Sequence, residues 1–137
     1  KRQDFYSKLL ERVNQAGTFS TNSRIFVTRI EQGCAEGVLH ADESSLNPNG
    51  IVHGGCLVTL ADTVAGCAAH GLGGQYVTLS SNLNFLAPAQ KGEVRCAAEV
   101  RKAGRTIVVC DVTITDAAGK PLACGSFTFF RVGELPN

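Results

Sequence analysis

Residues 54–69 read GGCLVTLADTVAGCAA, and this stretch decides the fold. Ala, Leu and Val recur through it too regularly for a loop, and it is longer than the usual strand, so it predicts a helix from Gly54 to about His70. The surrounding span from residue 44 to residue 90 contains no Lys, Arg or Glu, and its one Asp is Asp62. Burying a carboxylate among apolar neighbours is costly unless something compensates it. We therefore expect Asp62 to have a function.

Strand-like segments surround this predicted helix. An amphipathic helix over residues 4–16, with Phe5, Leu9 and Val13 on one stripe, is expected to open the chain. The strand segments are residues 23–31 and 34–40 before the central helix, and 76–86, 93–102, 106–115 and 122–132 after it. Short turns between the later segments favour an antiparallel sheet, and the central helix is the element apolar enough for that sheet to cover. The predicted fold class is therefore α+β, with about six antiparallel strands wrapped around a long helix.

Size and charge limit the classes of function. The 137 residues suit a single domain over residues 1–137. A formal net charge of +1, without a run of Lys and Arg, argues against a nucleic-acid partner. The charged fraction of 18% is below average, which favours burial of surface between subunits. No apolar run has the length of a membrane span, and the first residues lack the apolar core of a signal peptide.

The cysteines and histidines do not form metal-binding patterns. The six cysteines are Cys34, Cys56, Cys67, Cys96, Cys110 and Cys124. They show no C-x-x-C spacing and lie mostly in apolar segments, which favours reduced thiols in a cytoplasmic compartment and leaves an organelle open. His40, His53 and His70 show no ligand-like spacing to each other or to the cysteines. We therefore expect no metal.

The two glycines that begin the central helix have two interpretations. The first N–H groups of a helix have no intrahelical acceptor and carry the positive end of the helix dipole, which suits a developing oxyanion. A glycine at Gly54 would also let a carbonyl approach the backbone without a Cβ in the way. Alternatively, Gly54 and Gly55 only make the turn.

Asp62 shares a narrow helix face with small residues. On a helical wheel these are Gly55, Thr59, Gly66 and Ala69. Such a face leaves room for a thin ligand beside the carboxylate. The alternative is a helix-packing groove with a hydrogen-bonded structural Asp.

The loop before the helix contains the sequence NPNG at residues 47–50, which cannot continue a helix or a central strand. Asn47 is either a turn residue or an amide donor to a substrate carbonyl. His53 is a proton donor, a bystander or, as we favour, an anchor whose imidazole holds the 47–50 loop. His40 and His70 are expected at the surface or at strand ends.

The sequence NPNGIVHGG at residues 47–55, followed by LAD at residues 60–62, resembles the H-G-G…L-x-D signature of hotdog-fold acyl-CoA thioesterases, especially the phenylacetate-pathway type. The likeness continues through NLNFLAP at residues 82–88, GRT at residues 104–106 and the closing strand. It covers roughly residues 5–131. The resemblance implies a hotdog fold, in which a curved antiparallel sheet wraps around a helix. It also implies hydrolysis of acyl-CoA thioesters to the free acid and coenzyme A.

The same resemblance assigns roles to residues of the motif. Asp62 would be the catalytic carboxylate, as nucleophile or as general base on water. The Gly54 N–H would polarise the thioester carbonyl, with help from the Asn47 side chain, and His53 would support them. Thr78 would reach the active site of a neighbouring subunit to orient water or the carboxylate.

The resemblance also implies a coenzyme A groove between subunits of a homo-oligomer, which would be at least a dimer, with a tetramer favoured. The residues expected along this groove are Ser80, Phe85, Leu86, Ala87, Pro88, Ala89, Gln90, Lys102, Ala103, Gly104, Arg105, Thr106 and Ile107. Lys102 and Arg105 are candidate phosphate partners, or else solvated charges beside a hairpin turn. Coenzyme A is part of the substrate, so no metal or redox cofactor is implied.

Two other functions are compatible with this family resemblance. The first is a module that binds acyl-CoA without cleaving it. The second is a hotdog dehydratase or hydratase acting on acyl thioesters. Enzymes of the second kind usually pair a His with the carboxylate, and here only His53 is near Asp62 in sequence.

Overall fold

The computed structural model describes residues 2–135, which form one antiparallel sheet around one long helix. The helices are α1 (Arg2–Val13), α2 (Phe19–Asn22) and α3 (Gly54–His70), and the strands are β1 (Ile25–Glu31), β2 (Cys34–Ala41), β3 (Gly74–Phe85), β4 (Gly92–Ala103), β5 (Ile107–Asp116) and β6 (Pro121–Glu134). The strand order is β1-β2-β4-β5-β6-β3, with antiparallel neighbours throughout. The expected α+β hotdog fold is confirmed.

Helix α3 contacts all six strands and forms the centre of the core. Its side chains of Leu60 and Val64 are fully buried, and burying a side chain of this size contributes about 1.5–3 kcal/mol. Helix and sheet pack closely at Gly37 of β2, where a Cβ would lie 2.6 Å from Val64 Cγ2. The absence of a side chain at Gly37 therefore lets β2 pack directly on α3.

The boundaries differ from the sequence-based prediction mainly before β1. The N-terminal helix ends at Val13 rather than Ala16, and residues 19–22 form the short helix α2 within a region for which we predicted no element. Thr18 caps α2, because its hydroxyl accepts from the Thr21 N–H while the Thr21 hydroxyl accepts from the Thr18 N–H. This reciprocal cap stabilises a helix of one turn that hydrophobic periodicity alone does not reveal. None of the helices within residues 2–135 combines the length and hydropathy that crossing a bilayer requires.

Strand β3 contains a bulge next to α3. The register with β6 shifts between Thr78 and Ser80, which leaves Leu79 as an extra residue. In a regular strand Thr78 and Ser81 would point to opposite faces. Across the bulge both face α3, because each pairs with a buried phenylalanine of β6. The period of two that a regular strand shows is therefore broken at Leu79.

Candidate active site

His53 occupies the N-cap position of α3. Its Nδ1 accepts a hydrogen bond from the Gly55 N–H at 2.8 Å, so that ring nitrogen carries no proton. The expectation that this imidazole anchors the 47–50 loop is wrong, because it caps the helix instead. The cap occupies one of the first N–H groups and leaves the Gly54 N–H without an acceptor within residues 2–135. The Gly54 N–H is thus the available donor at the positive end of the helix dipole.

Asn47 makes the turn that precedes α3. Its Oδ1 accepts from the N–H groups of Asn49 at 2.9 Å and Ile51 at 3.3 Å. Only the oxygen of a side-chain amide can accept from these donors, so the orientation of the amide is fixed. The interpretation of Asn47 as a turn residue is confirmed. Its NH₂ group has no acceptor in the part of the chain described, so its action as a donor to a substrate carbonyl stays a prediction.

Asp62 is partly exposed, whereas the sequence suggested a carboxylate enclosed by apolar neighbours. Its Oδ1 accepts a hydrogen bond from the Thr78 hydroxyl at 2.7 Å. The carboxylate also lines two cavities. With one oxygen held by Thr78 and open space beside it, the carboxylate can approach water or a bound acyl group.

Thr78 contacts the carboxylate of its own chain. The resemblance implied that its hydroxyl reaches a neighbouring subunit, and the structure instead directs it to Asp62 within one chain. The bulge at Leu79 makes this possible, since it sets the face on which Thr78 lies relative to the rest of β3. Thr78 is therefore placed to orient Asp62.

The first of the two cavities has a volume of about 510 Å³ and is bounded along α3 by Asp62, Gly66 and His70. Asp62 and His70 are separated by about 12 Å along the helix axis. Apolar side chains of the surrounding elements contribute to the remaining wall, among them Leu9 and Val13 of α1, Ile30 of β1 and Phe129 of β6. The size and lining suit the acyl part of a small-molecule substrate.

The second cavity, also of about 510 Å³, adjoins the first, and the lining residues that the two share include Asp62, Thr63 and Thr78. Thr59 lines it, and so does Phe19, whose ring is 74% exposed. The predicted small-residue face of α3 is thus partly correct, since Thr59 and Gly66 border these cavities. Ala69 does not, because it is fully buried in the core.

The sequence predicts His70 at the surface or at a strand end, but the structure places it in the wall of the first cavity. Its Nδ1 is 2.7 Å from the Gly66 carbonyl, and its Nε2 accepts from the Tyr76 N–H at 3.3 Å. These two contacts are compatible with a neutral ring that carries its proton on Nδ1. Burial lowers the pKa of His70, which also favours the neutral form. Both ring nitrogens are occupied by backbone groups, so His70 has a structural role in the cavity wall.

Gly54 and Asp62 do not meet within one chain. They are eight residues apart on α3, which separates them by about 12 Å along its axis. A hydrogen-bond donor and a base that act on one thioester must both lie about 3 Å from their target atoms. The sequence suggested a carbonyl held by the helix N-terminus and facing Asp62, and one chain alone cannot supply both contacts.

The residues expected to bind coenzyme A lie at opposite ends of β3. Phe85, at the end of this strand, packs on the start of α3, since a Cβ on Gly54 would lie 3.3 Å from Phe85 Cζ. The exposed hairpin at residues 102–107 is near the beginning of β3, because the Thr106 carbonyl accepts from the Arg131 N–H and Arg131 pairs with Tyr76. The two groups of residues therefore do not form one groove in a single chain.

The expected coenzyme A residues also differ in exposure. Leu86 is 58% exposed, and Pro88 and Gln90 are exposed as well. Ala89 is buried, and its carbonyl accepts a hydrogen bond from the Val52 N–H at 2.9 Å. Ala89 therefore supports the loop before α3, which corrects its expected place in the groove.

Several residues around Asp62 were not identified from the sequence as site residues. Leu9 and Val13 were recognised only as an apolar stripe of α1, and that stripe turns out to face the first cavity as well as the core. Arg12 lines the same cavity. The amphipathic pattern of α1 was the available signal, but it does not show which element the stripe packs against.

A family model described as Thioesterase superfamily matches residues 49–123 of the chain. Among curated proteins, the mouse acyl-coenzyme A thioesterase 13 is 30% identical over 96 residues, which cover 66% of this chain and 67% of that protein. The matched region of the family model begins in the loop before α3 and ends in β6, so it includes Gly54, Asp62 and Thr78.

Several solved structures are similar in fold. A hypothetical thioesterase from Streptococcus pneumoniae, determined with coenzyme A, is 32% identical and covers 82% of this chain and 88% of that one, with a TM-score of 0.78. Structures of the same protein with an Asp, and a Thr sixteen positions later, each replaced by Ala are also similar. Asp62 and Thr78 have this same spacing. The Escherichia coli PaaI protein is 23% identical and covers 97% of this chain and 95% of that one, with a TM-score of 0.87, which shows a shared fold.

Proposed function

The chain belongs to the thioesterase superfamily and is a thioester hydrolase, and from this premise we propose that it hydrolyses acyl-CoA to a free acid and coenzyme A at a site centred on Asp62. The observation that carries the proposal is the Asp62 carboxylate, held by Thr78 and open to a cavity the size of a small acyl group. The coenzyme A in the similar pneumococcal structure supports the substrate class.

We propose that two copies of the chain complete each site through β3. This strand is an edge of the sheet, and its sequence GQYVTLSSNLNF has no charged residue, although charges commonly protect exposed edges. Val77 and Leu79 on it are 50% and 57% exposed. In contrast, the other edge strand, β1, carries Arg29 and Glu31 and contacts α1. A second copy pairing with β3 would cover this exposed apolar surface.

Antiparallel pairing of two β3 strands would solve the distance problem within one chain. Thr78 lies beside Asp62 and Phe85 lies beside Gly54. A two-fold axis near the middle of β3 brings the Phe85 end of one copy alongside the Thr78 end of the other. The Gly54 N–H of the second copy would then approach the thioester beside Asp62 of the first. The resulting dimer has two such sites, and the expected tetramer would be a pair of these dimers.

In the proposed reaction Asp62 acts as the general base or the nucleophile, and the Gly54 N–H and the Asn47 amide stabilise the oxyanion. As a general base, Asp62 takes a proton from water while the water oxygen bonds to the carbonyl carbon. As a nucleophile, it forms an anhydride that water then cleaves. In both routes the Gly54 N–H, assisted by the Asn47 amide, stabilises the oxyanion, and a preorganised donor of this kind contributes about 3–4 kcal/mol. Collapse of the oxyanion breaks the C–S bond, which in the nucleophilic route yields the anhydride before water attacks it. Coenzyme A leaves as a thiolate that needs little protonation, so no cofactor is proposed.

The same pairing would join the separated parts of the coenzyme A site. It places Phe85 to Pro88 of one copy near the 102–107 hairpin of the other, which lies at the beginning of its β3. Lys102 and Arg105 on that exposed hairpin are then available for the phosphates. We also propose a cytoplasmic location, which the six free thiols support.

A thiol-release assay over aryl-CoA and fatty acyl-CoA esters tests the proposed function. Hydrolysis of at least one series that depends on Asp62 is expected. Tight binding of acyl-CoA without thiol release would instead support a binding module. Hydration of an enoyl-CoA would support a hydratase. Neither His53 nor His70 is hydrogen-bonded to Asp62 within residues 2–135, and backbone groups occupy Nδ1 of His53 and both ring nitrogens of His70.

Thr78→Ala should lower kcat by about tenfold, a smaller loss than removal of the carboxylate itself. The substitution removes the hydroxyl that holds Asp62 Oδ1, so the carboxylate samples more orientations. Thr78→Ser keeps the hydroxyl and should retain most of the rate, which makes it the matched control. Steady-state kinetics on the best acyl-CoA substrate measure both variants. An unchanged kcat for Thr78→Ala would remove Thr78 from the site.

Leu79→Lys should convert the dimer to a monomer and lower hydrolysis with it. A lysine on an exposed edge strand opposes pairing with a second copy, and the proposed site needs Gly54 of that copy. Thr28 is exposed on the opposite edge strand, β1, so Thr28→Lys is the control that should leave the dimer intact. Sedimentation velocity and thiol release measure the two effects. A Leu79→Lys variant that stays dimeric, or a monomer that keeps the wild-type rate, would contradict the proposed pairing.

A further inference from the structure

The cavity beside Asp62 has opposite charges at its two ends. Asp62 lies at one end, and His70 lies about 12 Å away along α3. Arg12, in the last turn of α1, lines the same cavity and is close enough to His70 for its charge to add to the effect of burial in lowering the pKa of that imidazole. Between the two ends the wall is mainly apolar, with Leu9, Val13 and Phe129. If the reacting carbonyl is at Asp62, the far end of the acyl group meets Arg12.

Arg12 differs from most arginines of the chain because it has no acidic partner in the described residues. Five other arginines form ion pairs with Asp or Glu: Arg24, Arg29, Arg95, Arg101 and Arg131. Arg12 forms neither an ion pair nor a side-chain hydrogen bond within residues 2–135, and it is the one Lys or Arg among the residues described that line this cavity. Its guanidinium is therefore available to a ligand.

Among the residues described, the cavity wall near Arg12 has neither a second basic group free to bind an anion nor an acid that would pair with Arg12. The ring nitrogens of His70 are both used by backbone groups. The nearest acid in the cavity wall is Asp62 at the opposite end. Arg12 is exposed, and a carboxylate that reaches it forms a charge-assisted pair, which the end of a hydrocarbon chain cannot form.

We propose that the preferred substrates are acyl-CoA esters whose acyl chain ends in a carboxylate, and that Arg12 binds this carboxylate. The inference rests on the proposed acyl-CoA hydrolysis. Asp62 repels the terminal carboxylate of a short chain, whereas a longer chain carries it to Arg12. An extended carbon chain advances about 1.2 Å per bond, as an extended backbone does. Contacts of about 3 Å at each end leave roughly 6 Å of the ~12 Å between Asp62 and His70, which is about five bonds, so an acyl chain of about six carbons is the shortest that reaches both ends. Adipoyl and suberoyl groups fit this length, and a succinyl group does not.

The experiment compares kcat/KM for succinyl-, adipoyl- and suberoyl-CoA with the uncharged butyryl-, hexanoyl- and octanoyl-CoA of equal length. The wild type should prefer suberoyl- over octanoyl-CoA by about tenfold and show no such preference for succinyl-CoA. Arg12→Gln should lose the preference for suberoyl-CoA, and Arg12→Lys should keep part of it. Lys8 is an exposed cation one turn earlier on α1 that does not line the cavity. The control variant Lys8→Gln should therefore retain the full preference for suberoyl-CoA.

The outcomes separate this inference from the proposed function. Equal hydrolysis of suberoyl- and octanoyl-CoA by the wild type would overturn the carboxylate preference and leave acyl-CoA hydrolysis intact. A preference that survives in Arg12→Gln would show that another group binds the carboxylate. Thiol release from neither series would overturn the proposed function and this inference together. Thermal unfolding of each variant checks that a lost preference is not a loss of fold.

Discussion

Asp62→Asn should lower the rate of acyl-CoA hydrolysis by about a hundredfold or more while the protein remains folded. The amide has the shape of the carboxylate and can still accept the hydrogen bond from Thr78, so the local structure is expected to persist. It cannot take a proton from water or form an anhydride at a useful rate, because it lacks the negative charge. Thiol release under saturating substrate measures the loss, and circular dichroism and thermal unfolding measure the fold.

A matched control separates the role of Asp62 from a general effect of charge. Asp111→Asn makes the same chemical change on β5, where the carboxylate forms an exposed ion pair with Arg101. An exposed ion pair contributes little to stability. Neither Asp111 nor Arg101 lines the two cavities that border Asp62. Asp111→Asn should therefore hydrolyse acyl-CoA at about the wild-type rate. If Asp62→Asn did the same, the assignment of Asp62 would be wrong.

Gly125→Ala should produce the largest loss of stability among simple substitutions in the sheet. A Cβ at Gly125 would lie 1.9 Å from the backbone oxygen of Asn82 and 2.9 Å from the Cα of Leu83. Both are main-chain atoms of β3, so the clash cannot be relieved by rotating a side chain. We expect a loss of about 3 kcal/mol, with a fall in Tm of roughly 10 °C, as β3 is forced away from β6.

The displacement of β3 should also reduce hydrolysis, because this strand carries Thr78. Gly133→Ala is the matched control on the same strand, since a Cβ there meets no atom within 4 Å. It should unfold at nearly the wild-type temperature. Equal Tm values for Gly125→Ala and Gly133→Ala would contradict the close approach of the β3 and β6 backbones. Urea unfolding, compared between the two variants, supplies the free energies.

The sequence predicts those parts of the fold that depend on local pattern. The bounds of α3 follow from its apolar composition and its opening glycines, and the observed helix runs from Gly54 to His70 as expected. The hairpins after it follow from turn residues between alternating segments. Asp62 stands out because it is the one charged residue in a long uncharged span. Its partner Thr78 was identified from the family resemblance rather than from local pattern.

The features that the sequence does not predict depend on contacts between distant segments. The role of His53 as a helix cap needs the side-chain geometry, and the place of His70 in a cavity wall needs the packing of β3 against α3. The close approach at Gly125 depends on how tightly two backbones pair. Arg12 belongs to a helix whose apolar stripe was visible, but only the tertiary structure shows that it shares a cavity with Asp62.

The extra residue Leu79 determines which side chains of β3 face α3. Thr78 faces the carboxylate, and Phe85 seven positions later faces the beginning of the same helix, although an odd separation in a regular strand would put them on opposite sides. The strand can therefore exchange side chains during evolution far more freely than it can change its length. Loss of a single residue between these two positions would turn either the hydroxyl or the ring outward, and the proposed two halves of the site could no longer be presented by one strand.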